Sequence, residues 1–391
     1  MHFHLSEEQS ALQKLAREVA DREFKPRAAR WDEKEEYPAE NLPILLKVGF
    51  MGISLPVEYG GGGREAIDSI LVMEQVARVC PSTAMIVFGG NLGPVRCIAH
   101  FGTEDQKQKY IPPVCREGMG ISISMSEPDA GSAMTDLTTR AVPEGKFFIV
   151  NGVKRFVSGA GLSKVYLVYV RFGNIRGAKG IGALLIEKDT PGFSFGKKER
   201  KMGMRGMPHA DLIFEDCRVP SENLLMREGE LHKLLMAANL ERCANGTLSL
   251  GIGQGALEEA ISYSKQRTQF GRPICEFQGI QWMLADMAIQ VEAARLLLYR
   301  AATNAGQGFA SIMETSMAKT FANEMSIEVT NAAIQIHGSY GYTRDFPLER
   351  MLRDARGWPI AGGTTQIQRN TIASLLLGRN FPQRKGESKE Q

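Results

Sequence analysis

The chain has 391 residues, of which 47 are Lys or Arg and 44 are Asp or Glu, so its formal net charge is +3. This near balance gives no electrostatic reason to expect nucleic acid or an acidic membrane surface as a partner. No run of about 18 uncharged apolar residues predicts a membrane span, and the start MHFHLSEEQS lacks the pattern of a secretory signal. The six cysteines are scattered and form no Cys-x-x-Cys pair, which favours reduced thiols and a cytoplasmic location. The histidines lack the spacing of metal ligands, so we expect no metal site.

Residues 1–120 are predicted to form a helical domain. Ser6 and Thr103 each lie three residues before a glutamine, which is the spacing of a capping box and predicts helices that begin just after them. Apolar residues at helical spacing predict further helices over 40–48, 66–79 and 83–100.

Residues 121–230 are predicted to form an antiparallel β-domain. Short runs of β-branched and aromatic residues, separated by Gly, Pro, Asn and Asp, predict its strands. The runs lie at 121–125, 147–150, 152–157, 165–170, 182–186 and 212–214. Since no segment of helix length separates them, a doubly wound parallel sheet is disfavoured.

Residues 231–391 are predicted to form a helical bundle that ends in a frayed polar tail from Pro382 onward. Long apolar-periodic stretches predict helices at 231–266, 276–304, 309–337 and 364–377. The segment from Gly251 to Gly255 resembles a dinucleotide loop, but no strand precedes it and an alanine follows, so we interpret its glycines as permitting close approach of two helices.

Five segments, taken in order and spacing, resemble the acyl-CoA dehydrogenase family over almost the whole chain. They are Ser126-Glu127-Pro128-Asp129-Ala130-Gly131-Ser132, Asn151-Gly152-Val153-Lys154-Arg155-Phe156-Val157-Ser158-Gly159, Arg267-Thr268-Gln269-Phe270-Gly271-Arg272, Gln335-Ile336-His337-Gly338-Ser339-Tyr340-Gly341-Tyr342, and Gly363-Thr364-Thr365-Gln366-Ile367-Gln368. The resemblance implies an α+β fold, bound FAD, an acyl-CoA thioester as substrate and electron-transferring flavoprotein as electron acceptor. It also implies a homotetramer, because part of each flavin site comes from a neighbouring subunit.

The resemblance carries FAD-binding roles onto three groups of residues: one in the β-domain, one that serves the neighbouring subunit's flavin, and one at the start of the last helix. In that order they are Met125, Ser126, Gly131, Ser132, Phe156, Val157 and Ser158; Arg267, Phe270, Gln278, Gln335, Gly338 and Ser339; and Thr364, Thr365 and Gln366. The chemistry is compatible, because serine hydroxyls can bond the polar edge of a flavin and an arginine fork suits diphosphate oxygens. Thr364 is equally explained as the N-cap of the last helix.

The position of the catalytic base departs from the commonest family pattern. That pattern has a glutamate immediately before Gly-Thr, whereas this chain has Gly362, which cannot take a proton but keeps the backbone N–H that polarises the thioester carbonyl in the family. Isovaleryl- and long-chain-type members instead carry the base in a Glu-Arg pair on a bundle helix, and Glu241-Arg242 matches it. The resemblance therefore implies Glu241 as the base and Arg242, with Ser132, Asn239 and Gly363, as contacts to the substrate.

Three functions stay open from the sequence. The first is α,β-dehydrogenation of a branched, cyclic or otherwise substituted acyl-CoA, since glycine at 362 and alanine at 361 leave room beside Cα and Cβ. The second is a non-redox acyl-CoA lyase or desulfinase, whose Ala-Gly-Gly-Thr segment this chain resembles. That activity would require a cation for an acidic acyl group, and the stretch from Ala84 to Phe88 offers none. The third is a catalytically inactive acyl-CoA-binding homologue.

Overall fold

The structure, a computed structural model, describes residues 4–381, so the predicted polar tail lies outside the described residues. The described chain starts with a group of helices, and both predicted capping boxes are present. The Ser6 and Thr103 hydroxyls accept hydrogen bonds of 3.2 Å from the N–H groups of Gln9 and Gln106. The helices are α1 (Glu7–Val19), α2 (Ala28–Glu33), α3 (Leu42–Lys47), α4 (Ala66–Ala77), α5 (Pro81–Asn91), α6 (Pro94–Phe101) and α7 (Glu104–Glu117).

The helix predicted over 83–100 is wrong as a single element, because α5 ends at Asn91 and α6 begins at Pro94. Proline lacks the N–H that a continuing helix requires, and its fixed φ suits the first position of a new one. Helical periodicity alone did not reveal this break.

The sheet of the middle segment has eight strands and is mainly antiparallel. Its order is β6-β7-β3-β2-β4-β5-β8, and β1 pairs with β4 in parallel, as β2 also does. The strands are β1 (Ile121–Ser124), β2 (Arg140–Glu144), β3 (Phe147–Ser158), β4 (Val165–Phe172), β5 (Ile181–Glu187), β6 (Phe193–Phe195), β7 (His209–Pro220) and β8 (Leu224–Met226).

The two strands predicted at 147–150 and 152–157 form the single strand β3. Asn151, which separates the two predicted runs, instead lies at a register shift in the pairing of β3 with β7. The Asn151 side chain accepts a hydrogen bond of 2.8 Å from the backbone N–H of Asp216, which holds the irregularity in place.

The bundle that follows confirms the four long helices predicted for it, within a few residues at each end. A small hairpin of β9 (Thr268–Gln269) and β10 (Arg272–Pro273) joins the first two of them. The helices are α8 (Leu231–Gln266), α9 (Gln278–Ala305), α10 (Ile312–His337), α11 (Leu348–Arg356) and α12 (Thr365–Leu377). Among residues 4–381, no helix is long and apolar enough to cross a membrane.

Helix α8 crosses α4 at the glycines singled out in the sequence. A Cβ atom at Gly251 would lie 2.5 Å from the Cβ of Ala77, and one at Gly255 would lie 2.2 Å from the carbonyl oxygen of Arg78. These glycines therefore let two buried helices approach closely, as predicted, and the crossing fixes α8 in the core.

We expect Gly255→Ala to lower the free energy of unfolding by about 1–3 kcal/mol, because the new methyl group overpacks a rigid backbone contact. Gly89→Ala is the matched control. It lies inside α5 with no atom within 4 Å of its Cβ position, so the higher helix propensity of alanine should leave stability unchanged or raised by up to about 1 kcal/mol. Urea unfolding of both variants measures the difference, and equal midpoints would contradict the close crossing.

Candidate active site

Glu241 lies on α8, in the half of the helix that faces the β-domain. Its side chain is part-buried, and burial raises the pKa of its carboxyl to about 7, although the adjacent Arg242 opposes this shift. Its charge also contributes to the raised pKa values of two buried groups, the Tyr169 hydroxyl on β4 and the Cys97 thiol on α6. Glu241 is thus a poorly solvated carboxylate between the bundle and the sheet, with the pKa range that suits a general base at neutral pH.

Arg242 is oriented by a neighbour on the same helix. Its Nη1 donates a hydrogen bond of 2.8 Å to the Oδ1 of Asn239, while the Asn239 amide donates to the carbonyl of Ala310 at 3.3 Å. The buried Asn239 side chain therefore holds the Arg242 guanidinium in one orientation. The two residues predicted as substrate contacts form one unit beside Glu241.

The turn from Trp358 to Gly363 is tied to the bundle by a buried polar network. The Asn323 amide donates to the carbonyl of Trp358 at 2.7 Å and to the Oδ1 of Asn245 at 3.0 Å. The ammonium of Lys319 donates to the carbonyls of Trp358 and Gly363 at 3.3 and 2.9 Å. Lys319 is completely buried, and burial, together with Arg242, lowers its pKa to about 7.

Gly362 lies at the exposed apex of this turn, with a φ of +64°. A Cβ atom there would lie 3.4 Å from the Nδ2 of Asn245, which follows Glu241 by one helical turn on the same face of α8. The structure therefore places Gly362 against a residue that lies one helical turn from Glu241. Within residues 4–381, the Gly362 N–H donates no hydrogen bond, so it is available to a ligand.

The segment Met125–Glu127 is held by a buried ion pair at the end of β1. The ammonium of Lys154 lies 2.7 Å from the Oε1 of Glu127 and donates to the carbonyl of Met125 at 3.2 Å. The Glu127 carboxylate also accepts from the backbone N–H groups of Thr138 and Thr139, at 2.6 and 2.9 Å. Burial alone would raise the pKa of the Glu127 carboxyl. The ammonium of Lys154 and these hydrogen-bond donors outweigh burial and lower that pKa to about 2.

The far end of β3 lies beside that segment. The backbone N–H of Arg155 donates to the carbonyl of Ser126 at 2.8 Å, and the pairing of β3 with β7 is interrupted between Lys154 and Val157. In this bulge Phe156 has a φ of +57° and presents its ring to solvent. A non-glycine residue with positive φ is strained, and bulges often re-aim side chains at functional sites.

Ser158 ends β3 and bonds to His209 on the paired strand. Its Oγ lies 2.7 Å from the Nε2 of His209, and burial lowers the pKa of that imidazole to about 3, so it is neutral at physiological pH. Ser126 is thus joined to β3 through the Arg155 backbone, beside Phe156, and Ser158 ends the same strand. These three residues, which carry two hydroxyl groups and an aromatic ring, are called the Ser126 cradle below. This donor set fits the flat, polar-edged ring system of a flavin.

The residues predicted to serve a neighbouring subunit's flavin lie elsewhere, at the far end of the bundle. Within the described chain no hydrogen bond joins them to the Ser126 cradle. In the single chain these residues are exposed to solvent. Phe270, for example, is 94% exposed and has a φ of +51°. The Arg267 guanidinium lies over the ring of Tyr340. Gln278, Gln335, Gly338 and Ser339 are exposed at the same end.

The remaining predicted site residues are placed less distinctively. Gly131 and Ser132 are exposed in the loop after β1. The Thr364 hydroxyl accepts from the Ile367 N–H at 3.2 Å and caps α12, Thr365 is 2% exposed, and Gln366 is exposed. None of the predicted assignments of individual residues is tested by these positions, and they stay predictions.

Sequence reasoning missed Lys319, Asn245 and His209, which contact the predicted site residues. Each is far in sequence from its partner and belongs to none of the recognised segments. A lysine in an otherwise apolar helical stretch was a weak signal for Lys319, but the sequence held no signal for the Ser158–His209 contact.

Comparison with family models matches three consecutive domains along the chain. Residues 6–118 match the acyl-CoA dehydrogenase N-terminal domain, 122–217 its middle domain, and 232–377 its C-terminal domain.

Full-length relatives and solved structures agree with this match. The chain is 43% identical to a 3-sulfinopropanoyl-CoA desulfinase of Cupriavidus necator, over 98% of each chain. It superposes with a TM-score of 0.93 on butyryl-CoA dehydrogenase from Megasphaera elsdenii, at 34% identity over 96% of this chain and 100% of that one. A chain from a structure described as the electron transferring flavoprotein of Acidaminococcus fermentans has a TM-score of 0.94 at 39% identity, again over 96% and 100%.

The raised pKa of Glu241 predicts a pH-dependent stability change in Glu241→Gln. An ionised carboxylate costs stability where it is poorly solvated, so the cost appears above the unfolded pKa of about 4.3 and is complete above the folded value of about 7. We expect Glu241→Gln to be more stable than wild type by about 1–3 kcal/mol at pH 8 and equal to it at pH 4. Urea unfolding at both pH values measures this, and a gain that does not depend on pH would contradict desolvation as its cause.

Proposed function

The chain belongs to the acyl-CoA dehydrogenase family, whose members are FAD-dependent enzymes that act on acyl-CoA thioesters, and we propose that it dehydrogenates a substituted acyl-CoA between Cα and Cβ. The observation that carries this proposal is that Gly362 lies against Asn245, one helical turn from the poorly solvated carboxylate of Glu241. A carboxylate with a pKa of about 7 lies one helical turn from Asn245, which lines the side-chain-free position 362. Glu241 on α8 would thus supply the base that position 362 lacks.

We infer that Glu241 removes the proton from Cα of the thioester. The free N–H of Gly362 would bind the thioester oxygen and stabilise the negative charge that develops there. Ser126, Phe156 and Ser158 would hold FAD, whose chemistry would supply the acceptor for the hydride from Cβ. Arg242, braced by Asn239, would bind the CoA part of the substrate and hold Cα within reach of Glu241.

The cradle of Ser126, Phe156 and Ser158 would hold the flavin ring. Arg267 and its exposed neighbours would bind the diphosphate and adenine side of the flavin of a second copy. An exposed apolar stripe on α9 supports a homotetramer in which this occurs, since Trp282 and Ile289 are 62% and 66% exposed and, with Leu296, recur every seven residues.

We propose electron-transferring flavoprotein as the physiological electron acceptor. The similarity to a chain of the Acidaminococcus fermentans structure supports this choice. A cytoplasmic location stays a prediction.

A second candidate function is removal of a sulfino group from the thioester, supported by the 43% identity to the Cupriavidus necator desulfinase. A sulfinate is an anion and would need a cationic partner in the acyl pocket. The guanidinium of Arg96 donates to the backbone carbonyls of Ser54, Gln307 and Gly308 at 3.0, 2.5 and 3.0 Å, so it is occupied. Because the Arg96 guanidinium is already bonded and Glu241 offers a carboxylate as base, we propose dehydrogenation ahead of desulfination.

The proposal is tested by anaerobic spectra of the FAD-loaded protein with a panel of acyl-CoA thioesters and with 3-sulfinopropanoyl-CoA. We expect acyl-CoA to bleach the flavin absorbance of the wild type, and we expect Glu241→Gln to keep FAD and thioester binding but lose bleaching by at least about 1,000-fold in rate, because an amide cannot accept the proton.

Glu230→Gln is the control. Glu230 lies just before α8 and forms an ion pair with Lys233, away from the proposed site, so the flavin of this variant should bleach at the wild-type rate. Desulfination of the sulfino thioester without bleaching by any acyl-CoA would establish the second candidate. Thioester binding with neither reaction would identify an inactive homologue. Normal bleaching by Glu241→Gln would show that the base lies elsewhere.

The space beside position 362 predicts the acyl preference. Glycine at 362 and alanine at 361 leave room near Cα and Cβ, which a branched or cyclic acyl group would fill and a short straight chain would not. Unfilled contacts of this size are worth about 1–3 kcal/mol, or roughly 10–200-fold in discrimination. We expect kcat/KM for isovaleryl- or cyclohexanoyl-CoA to exceed that for butyryl- and octanoyl-CoA, and a clear preference for butyryl-CoA would show that other side chains fill the space.

A further inference from the structure

We propose that Lys319 is a positioning residue whose buried ammonium fixes the Trp358–Gly363 turn, so that the Gly362 N–H faces the substrate. This inference rests on the proposed function, because it concerns the donor that binds the thioester oxygen. Lys319 lies on α10, with its Cε 3.7 Å from the position that a Cβ atom of Gly362 would take. Its ammonium bonds to backbone carbonyls of the turn, so it would act through the backbone of the turn.

The cost of burying Lys319 indicates that it has a specific role. The side chain is completely buried, and among residues 4–381 no carboxylate lies within ion-pair distance of its ammonium. An unpaired buried charge is expensive, and the charged form persists only where hydrogen-bond acceptors replace water. The only acceptors that the described chain supplies are the carbonyls of Trp358 and Gly363.

These two carbonyls bracket Gly362, and each receives a second donor. Asn323 shares the Trp358 carbonyl at 2.7 Å, and Gln368 shares the Gly363 carbonyl at 3.2 Å. The turn is therefore held on both sides of its apex. Of the side chains in residues 4–381, Lys319 alone bonds to both carbonyls, so it links the two halves of the turn.

The direction of the Gly362 N–H follows from peptide geometry. In a trans peptide the N–H points opposite to the preceding C=O. The Ala361 carbonyl accepts from the Asn245 amide at 3.4 Å, so the Gly362 N–H points away from that amide, at the exposed apex of the turn. Gly362 and Gly363 both have a left-handed φ and no side chain that could hold this orientation.

Lys319→Met tests the inference, because methionine keeps most of the volume and removes the charge and donors. Lys319→Arg is the conservative variant, and the probe is acetoacetyl-CoA, whose acidic Cα–H gives an absorbing enolate. Wild-type FAD-loaded protein should lower the apparent pKa of bound acetoacetyl-CoA. We expect Lys319→Met to raise that value by about 1–2 pH units and to lower the saturated rate of flavin bleaching about 100-fold with little change in KM.

Lys319→Arg should recover at least about 10-fold of the lost rate, since it can still donate to both carbonyls. A folded, FAD-loaded Lys319→Met with wild-type enolisation and rate would overturn the inference. If Lys319→Met does not fold, Gln368→Leu removes a neutral donor from the same Gly363 carbonyl and should lower the rate about 5-fold; an unchanged rate would then overturn it. Failure of the proposed function is distinguishable, because the wild type itself would then not enolise the bound probe.

Discussion

Desolvation of the Glu241 carboxylate is the constraint on which the site depends. A glutamate in water is too weak a base to take a proton from carbon next to a thioester, whereas burial raises the pKa of Glu241 to about 7. That burial needs a helix that is itself held deep in the protein, which the glycine contacts between α8 and α4 provide. The stability lost by keeping one carboxylate poorly solvated is then offset by packing elsewhere along a helix of 36 residues.

The β-domain supplies a complementary kind of order. Where the bundle uses close packing, the sheet uses a buried ion pair, Lys154–Glu127, to hold a loop that has little regular structure. The bulge in β3 then turns Phe156 outward beside that loop. Both devices act on backbone position, so the proposed flavin-facing groups are set by strand ends and not by flexible side chains.

The sequence predicted much of the fold because the relevant signals are local. Capping boxes at Ser6 and Thr103 and the apolar periodicity of the long helices are short-range patterns, and they were confirmed. The break before Pro94 was missed because periodicity continues across it. The pairing of Lys319 with carbonyls about 40 residues later, and of Ser158 with His209, depends on tertiary contacts that no local pattern records. The resemblance therefore predicts the site as a set of segments, whereas no local pattern predicts the hydrogen bonds among them.

The length of α8 has a consequence for how defects would combine. Glu241 and Arg267 are 26 residues apart on one continuous helix and its end, about 39 Å at 1.5 Å per residue. In the proposed oligomer, one copy would thus supply the base to its own site and the arginine to a neighbour's cofactor. Consider two inactive variants, one altered at Glu241 and the other at Arg267. A mixed oligomer of the two would contain one site that has lost neither group and another site that has lost both. Activity would reappear on mixing, as complementation between subunits, without any chain being repaired.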